Sequence, residues 1–212
     1  MEISPELEKY ILKHISPEDE VLHDLYRKTH LEVVKSVMVS GHWQGKLLEM
    51  ISKMINPKII LEIGTFTGYS AICLAKGLKE GGILHTIERN DELTDMAQSF
   101  IDKAGMSEKI RMHIGEAATL IESLDIQPDL VFLDADKWDY LPLYQTIFSK
   151  IKKGGYILAD NILWSGKIIH PIKPSDKETN GIAAFNDFIA NDERVEKIII
   201  PIRDGLTIIR KK

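Results

Sequence analysis

The sequence predicts an α/β fold: a mostly parallel sheet with helices on both faces, closed at its C-terminal end by an antiparallel pair. Three observations predict it. From residue 58 onward short apolar runs alternate with amphipathic segments, the pattern of consecutive βαβ units. Val131-Phe132-Leu133 and Tyr156-Ile157-Leu158-Ala159 are apolar without interruption, as strands covered on both faces are. Near the end the character changes, with two apolar runs flanking Asp204-Gly205, a dipeptide suited to the positive φ angles of a tight hairpin.

Each element can be justified in turn. About three helices precede the sheet, over residues 4–14, 17–37 and 41–55, and the last stops before Asn56-Pro57 because the residue preceding a proline is pushed out of helical geometry. Strands follow at Ile59–Ile63, Ile83–Glu88, Ile110–Ile114, Leu130–Asp134 and Tyr156–Asp160. Helical patterns at 69–79, 91–104, 116–123 and 139–150 separate them, with Asp91 as the N-cap of the second. Val195–Ile202 and Leu206–Arg210 form the closing pair, making seven strands. The stretch from His170 to Asn180, polar and carrying two prolines, is the least regular and is a candidate lid. A chain of 212 residues without a linker-like composition shift reads as one domain over 1–212, an N-terminal helical cap (1–56) on a core (57–212).

Composition narrows the function. With 44% hydrophobic and 28% charged residues and no apolar run near the ~20 residues that span a bilayer, no membrane partner is expected. Met1 to His14 reads as an acidic amphipathic helix rather than a secretory signal, so the expected location is the cytoplasm. The single cysteine, Cys73, rules out an internal disulfide framework and lies among helical apolar neighbours as a structural residue. A net charge of -5 lacks the basic footprint of a dedicated nucleic-acid binder and favours a small-molecule substrate.

Two groups of residues carry chemistry. Leu61-Glu62-Ile63-Gly64-Thr65-Phe66-Thr67-Gly68-Tyr69-Ser70 passes from strand through glycine turn into helix, where glycines let a ligand approach the backbone. Its G-x-x-x-G spacing departs from the G-x-G-x-x-G that seats a dinucleotide pyrophosphate, so a nucleoside without phosphates fits better. Glu88 ends the second strand, where an acid can accept from both ribose hydroxyls, and Gly115-Glu116-Ala117 ends the third, placed to edge an adenine. The second group is a pair of acidic tags, Asp134-Ala135-Asp136-Lys137 and Asp160-Asn161, each following a buried strand and surfacing on one edge of the sheet as a divalent-metal site would. Each residue alone has a duller reading, since Asp and Asn are common in turns and a lysine is usually a solvated charge. The ordered set argues otherwise. No histidine pair has metal-ligand spacing, and Met38, Met50 and Met54 fit helix core packing.

Together these motifs resemble the metal-dependent, S-adenosylmethionine-dependent O-methyltransferases of the catechol and caffeoyl-coenzyme A type, bacterial members included. The resemblance runs from Met38–Gly45 through Glu62–Ser70, Glu88-Arg89-Asn90, Gly115–Ala117, Leu133–Lys137 and Asp160–Gly166 to Pro201–Arg210. It implies a Rossmann-like class I methyltransferase fold and a homodimer. It also implies that Ser40, Glu62, Gly64, Thr65, Ser70, Glu88, Ala117 and Asp136 contact S-adenosylmethionine, and that Asp134, Asp160 and Asn161 hold the metal. Lys137 matches the family's catalytic lysine, with Asp134 beside it in the catalytic set. Trp164 and Ser165 fall in the substrate pocket; plant coenzyme A-ester enzymes carry asparagine where this chain has Ser165, which counts against that ester specificity.

The implied chemistry is coherent. Methyl transfer from a sulfonium needs an oxygen nucleophile aligned behind the methyl carbon, and a phenol of pKa ~10 supplies little phenolate at neutral pH. A hard cation, expected to be Mg²⁺ with Mn²⁺ or Ca²⁺ as alternatives, chelates vicinal hydroxyls, orients them and stabilises the oxyanion. Lys137 then takes the proton, which requires its pKa to fall from ~10.4 toward ~7–8, as a nearby dication and partial burial both favour by penalising the ammonium form. The expected acceptor is a catechol-like small aromatic. A tRNA wobble 5-hydroxyuridine is a second acceptor, with Lys167, Lys173 and Lys177 as its phosphate contacts and the negative net charge against it. A non-catalytic S-adenosylmethionine-binding module is the third reading; it predicts a damaged metal or lysine position, and none is damaged.

Overall fold

In a computed structural model that describes residues 4–212, the chain runs α1 (Pro5–His14), α2 (Glu20–Glu32), α3 (Gly41–Ile55), β1 (Ile59–Ile63), α4 (Tyr69–Ala75), β2 (Ile83–Glu88), α5 (Thr94–Lys103) and β3 (Ile110–Ile114). It continues through α6 (Ala117–Ser123), β4 (Leu130–Leu133), α7 (Tyr140–Lys150), β5 (Tyr156–Asp160), α8 (Lys177–Asn191), β6 (Val195–Ile200) and β7 (Leu206–Lys211). Of the expected Met1–His14 helix, residues 1–3 lie outside the described residues.

The seven strands form one sheet in the order β3-β2-β1-β4-β5-β7-β6. β1 pairs in parallel with β2 and β4, β2 with β3 and β4 with β5, whereas β7 runs antiparallel to both β5 and β6. The order reverses between β1 and β4, and ligands of open α/β sheets bind in the crevice beyond the strand ends at such a switch point. Gly64 and Asp134, the residues just past β1 and β4, stand there.

Strand alternation divides the core. Ile60, Leu84, Phe132 and Leu158 face the layer of α2, α3, α4 and α5, while Leu61, Ile63, Val131, Leu133 and Ile157 face the layer of α6, α7 and α8. Side chains such as Phe132 and Leu133 are fully buried, each stabilising the fold by about 1.5–3 kcal/mol. Both faces are therefore apolar, and the continuous apolar runs follow from that.

Several local expectations need correction. The helix expected over 17–37 ends at Glu32: Val33 is extended, Lys35 is left-handed (φ 62) and Ser36–Met38 form a 3₁₀ turn. β-branched Val33-Val34 weakens the helix, and Leu31, Val34 and Val37, 74%, 86% and 77% exposed, bury no face that would hold it. Met38, Met50 and Met54 are exposed rather than core: Met38 lies in the 3₁₀ turn ahead of α3, and α3 buries the face that carries Gln44, Gly45, Leu48 and Ile51 and leaves Met50 and Met54 outside. Asn90, not Asp91, supplies the cap, its side chain accepting from Glu92 N. Asp134 lies just past the strand expected to contain it, and α4 stops at Ala75. The final turn spans five residues between paired Ile200 and Leu206, with Arg203 and Gly205 left-handed, so it is no two-residue hairpin. Of the 170–180 stretch, the last four residues already belong to α8, a helix absent from the sequence reading. Polar Lys177-Glu178-Thr179-Asn180-Gly181 masks it. Asp176 caps it by accepting from Thr179 N, and Gly181 is required because a β-carbon there would come within 2.5 Å of the Lys137 carbonyl oxygen.

Candidate active site

The two acidic tags come together around one buried tyrosine. After β4 the chain turns through Asp134-Ala135-Asp136 into a 3₁₀ turn, Lys137–Asp139, and then α7. Lys137 is buried, and its Nζ donates to Asp134 Oδ1 and to Tyr140 Oη, both at 2.8 Å. Tyr140 Oη donates in turn to the Asp160 carbonyl oxygen (2.8 Å), tying the end of β5 to the lysine. Burial pulls the Lys137 pKa down, but the charge of Asp134 and the bonds to Asp134 and Tyr140 outweigh it, and the net shift is upward. With Asp134 and Tyr140 as its neighbours the ammonium form is held; the depressed value expected of a base belongs to a site that also holds a divalent cation.

Asp160, the last residue of β5, is buried, and its Oδ2 accepts from Gln44 Nε2 at 2.6 Å. Its Oδ1 is buried with no partner. Burial, then the nearby Asp134 charge, pushes this carboxyl up to about 6. Asn161 follows in left-handed geometry (φ 55), and Trp164, Ser165 and Gly166 make a further left-handed turn, with Ser165 N donating to Asp204 Oδ1. Lys137 Nζ stands 5.9 Å from the centre of the Trp164 ring, whose buried Nε1 has no partner. Ser165 is exposed, as is Trp138.

The expected donor set of Asp134, Asp160 and Asn161 fits a hard cation. Two carboxylates and an amide are oxygen ligands of the right kind, and a buried carboxylate oxygen without a hydrogen-bond donor is stabilised by a cation or a proton. Among the described residues no group of three His, Cys, Asp or Glu suits a metal, so an amide oxygen would have to complete this set.

The other group surrounds the β1 turn. Glu62 is fully buried; its Oε2 accepts from Thr86 Oγ1 (2.6 Å), which also meets Thr65 Oγ1 at 2.5 Å. Burial raises the Glu62 pKa to about 8 despite those bonds. Glu88 accepts from Phe66 N (2.8 Å) and Asn90 N (3.0 Å), which fixes the carboxylate while leaving lone pairs for a further donor. Ser70 is buried in the first turn of α4, and Ala117 opens α6. Asp136 pairs with Arg89 Nη2 at 2.6 Å, joining the ends of β2 and β4. Ser40 precedes α3, and its carbonyl accepts from Arg203 Nη1 at 2.7 Å.

Four residues at the site had been given no role: Tyr140, and Gln44, Arg89 and Arg203, which lie in segments that carry the resemblance. Gln44 left a further trace, a polar residue on the buried face of α3 where the helix pattern asks for an apolar one.

The sequence profile described as O-methyltransferase matches residues 13–212. The chain belongs to this O-methyltransferase family. A probable caffeoyl-CoA O-methyltransferase 2 from Dictyostelium discoideum is 31% identical over 95% of this chain and 90% of its own length. A caffeoyl-CoA O-methyltransferase 1 from Eucalyptus globulus is 32% identical over 83% of the chain and 76% of its own. Among solved structures, an O-methyltransferase from Bacillus cereus in complex with SAH superimposes with a TM-score of 0.91 at 25% identity, covering 98% of this chain and 97% of that one. One from Streptomyces achromogenes involved in tomaymycin synthesis, in complex with SAM, gives 0.90 at 27% identity, covering 98% and 96%. The protein is thus a class I, S-adenosylmethionine-dependent O-methyltransferase with the Rossmann-like fold of these structures. No helix among the described residues of the methyltransferase is long and apolar enough to cross a membrane.

Proposed function

We propose that this methyltransferase methylates one hydroxyl of a catechol-like small aromatic chelated by a divalent metal, with Mg²⁺ as the metal. The observation that carries the reading is the partnerless, buried Asp160 Oδ1, at the end of the strand beside the one that delivers Asp134 and Lys137. The names of the caffeoyl-CoA O-methyltransferase relatives support a small phenolic acceptor.

In this reading Asp134, Asp160 and Asn161 hold the metal. When bound, it supplies chelation of vicinal hydroxyls, acidification of the reacting one, and positive charge that offsets the grip of Asp134 on Lys137. Glu62, Gly64, Thr65, Ser70, Glu88 and Ala117 shape the S-adenosylmethionine site around the β1 turn, with Ser40 and Asp136 at its margin; Glu88 takes the ribose. Lys137 Nζ receives the acceptor's proton. Two of the three hydrogens of the charged form are directed at Asp134 and Tyr140, which fixes the nitrogen and leaves one direction free. Positioning ranks above basicity, since alignment can contribute ~7–11 kcal/mol while proton transfer contributes ~10²–10⁴-fold. Trp164 walls the acceptor and keeps water from the charge-neutralising transfer. Ser165, exposed at the rim, contacts the acceptor's outer part. The working form is a homodimer using the N-terminal helices.

Purified protein incubated with labelled S-adenosylmethionine and a panel of catechols should transfer label to one hydroxyl, and EDTA should abolish the transfer. Full-rate turnover in EDTA would refute the metal assignment, and failure on every vicinal diol would refute the acceptor.

A further inference from the structure

Asp160 is fastened from outside its own strand. Gln44, fully buried on α3, donates through Nε2 to Asp160 Oδ2 at 2.6 Å, across a sequence separation of 116 residues. The same amide accepts through Oε1 from Arg203 Nη1, in the loop between β6 and β7. Arg203 also donates to the carbonyl oxygens of Ser40 (2.7 Å) and Val37 (3.4 Å), so its guanidinium is fixed by the backbone ahead of α3. A guanidinium can only donate, so Arg203 admits only the oxygen end of the amide and turns its nitrogen to Asp160. The opposite orientation would set donor against donor and oxygen against carboxylate. One oxygen of Asp160 is thereby occupied, and the other, Oδ1, is left buried and bare.

We infer that Gln44 and Arg203 are positioning residues that clamp Asp160 so that Oδ1 alone is presented to the divalent cation. The inference rests on the metal assignment proposed above. It adds that the cation's affinity is set partly by α3 and the β6–β7 loop, neither of which supplies a ligand. Partners that orient a ligating carboxylate commonly contribute 10–100-fold to metal affinity. A purely structural pin between α3 and β5 would instead alter stability and leave the cation untouched.

The test uses the full chain and Mn²⁺ as probe, with its Kd measured by electron paramagnetic resonance and the S-adenosylmethionine Kd by calorimetry. Gln44→Met keeps the side-chain length and removes the donor. It should weaken Mn²⁺ binding by about tenfold or more, with S-adenosylmethionine affinity held within about twofold. Arg203→Met, in an exposed loop, frees the amide to turn and should weaken Mn²⁺ binding by a smaller factor of about three to ten; it carries the test if Gln44→Met does not fold. Folded variants that bind Mn²⁺ like the wild type overturn the clamp and leave the metal assignment standing. A wild-type protein that binds no Mn²⁺ overturns both.

Discussion

Gly64 and Asp134 touch backbone to backbone at the switch point of the sheet. A β-carbon built on Gly64 would lie 2.0 Å from the Asp134 carbonyl oxygen, and Gly64 itself has φ 102. The turn that forms the proposed cofactor site and the turn that starts the acidic tag are therefore packed as one unit, with no room between them for a side chain.

Gly64→Ala should consequently be severe, because the strained φ and the backbone clash add. We expect a loss of about 3 kcal/mol or more, read by urea denaturation, with S-adenosylmethionine binding lost as well. A variant within about 1 kcal/mol of wild type would show that the two turns separate freely.

Glu62 makes stability depend on pH. Its carboxyl is raised by burial from 4.5 to about 8, so across that window the folded protein holds more protons than the unfolded chain. Its contribution is complete below 4.5 and is lost as pH rises through about 8. The slope is at most about 1.4 kcal/mol per pH unit. In Glu62→Gln the fall in ligand-free Tm between about pH 5 and 8 should flatten. Parallel Tm curves for the two proteins would count against a neutral Glu62.

Lys137→Met should lower kcat by ~10²–10⁴-fold while the S-adenosylmethionine Kd stays near wild type, in single-turnover and calorimetric measurements. Equal losses in both would place Lys137 in cofactor binding instead.

Asp160→Ala should abolish turnover and spare S-adenosylmethionine affinity, since the proposed role of the residue is to hold the metal and through it the acceptor. A large drop in cofactor affinity, measured by calorimetry, would contradict the division of roles between the two groups.

Much of the fold was legible because its signals are local. Five parallel strands and their order along the chain follow from short apolar segments, uninterrupted in the doubly covered β4 and alternating with polar residues in β2 and the edge strand β3, and four of them match to the residue: Ile59–Ile63, Ile83–Glu88, Ile110–Ile114 and Tyr156–Asp160. Segments whose conformation depends on distant packing were misread. The residues after Glu32 lose their helix because nothing covers Val34 and Val37, and α8 gains one because Gly181 lets it rest on Lys137 and Trp138. Sequence pattern has no access to either neighbour.

The same division holds at the site. The sequence by itself determined which chemistry-bearing residues reach the carboxyl edge of the sheet, since a strand's end and the turn after it are local facts: Gly64, Glu88, Asp134, Lys137 and Asp160 all stand there. Only the tertiary structure decided their state. It sets Lys137 between Asp134 and Tyr140, which hold its ammonium form against burial, and it brings Gln44 and Arg203 onto Asp160. Protonation and ligand orientation are set by burial and by partners far away in sequence. These exist only once α3, β5 and the β6–β7 loop have packed together.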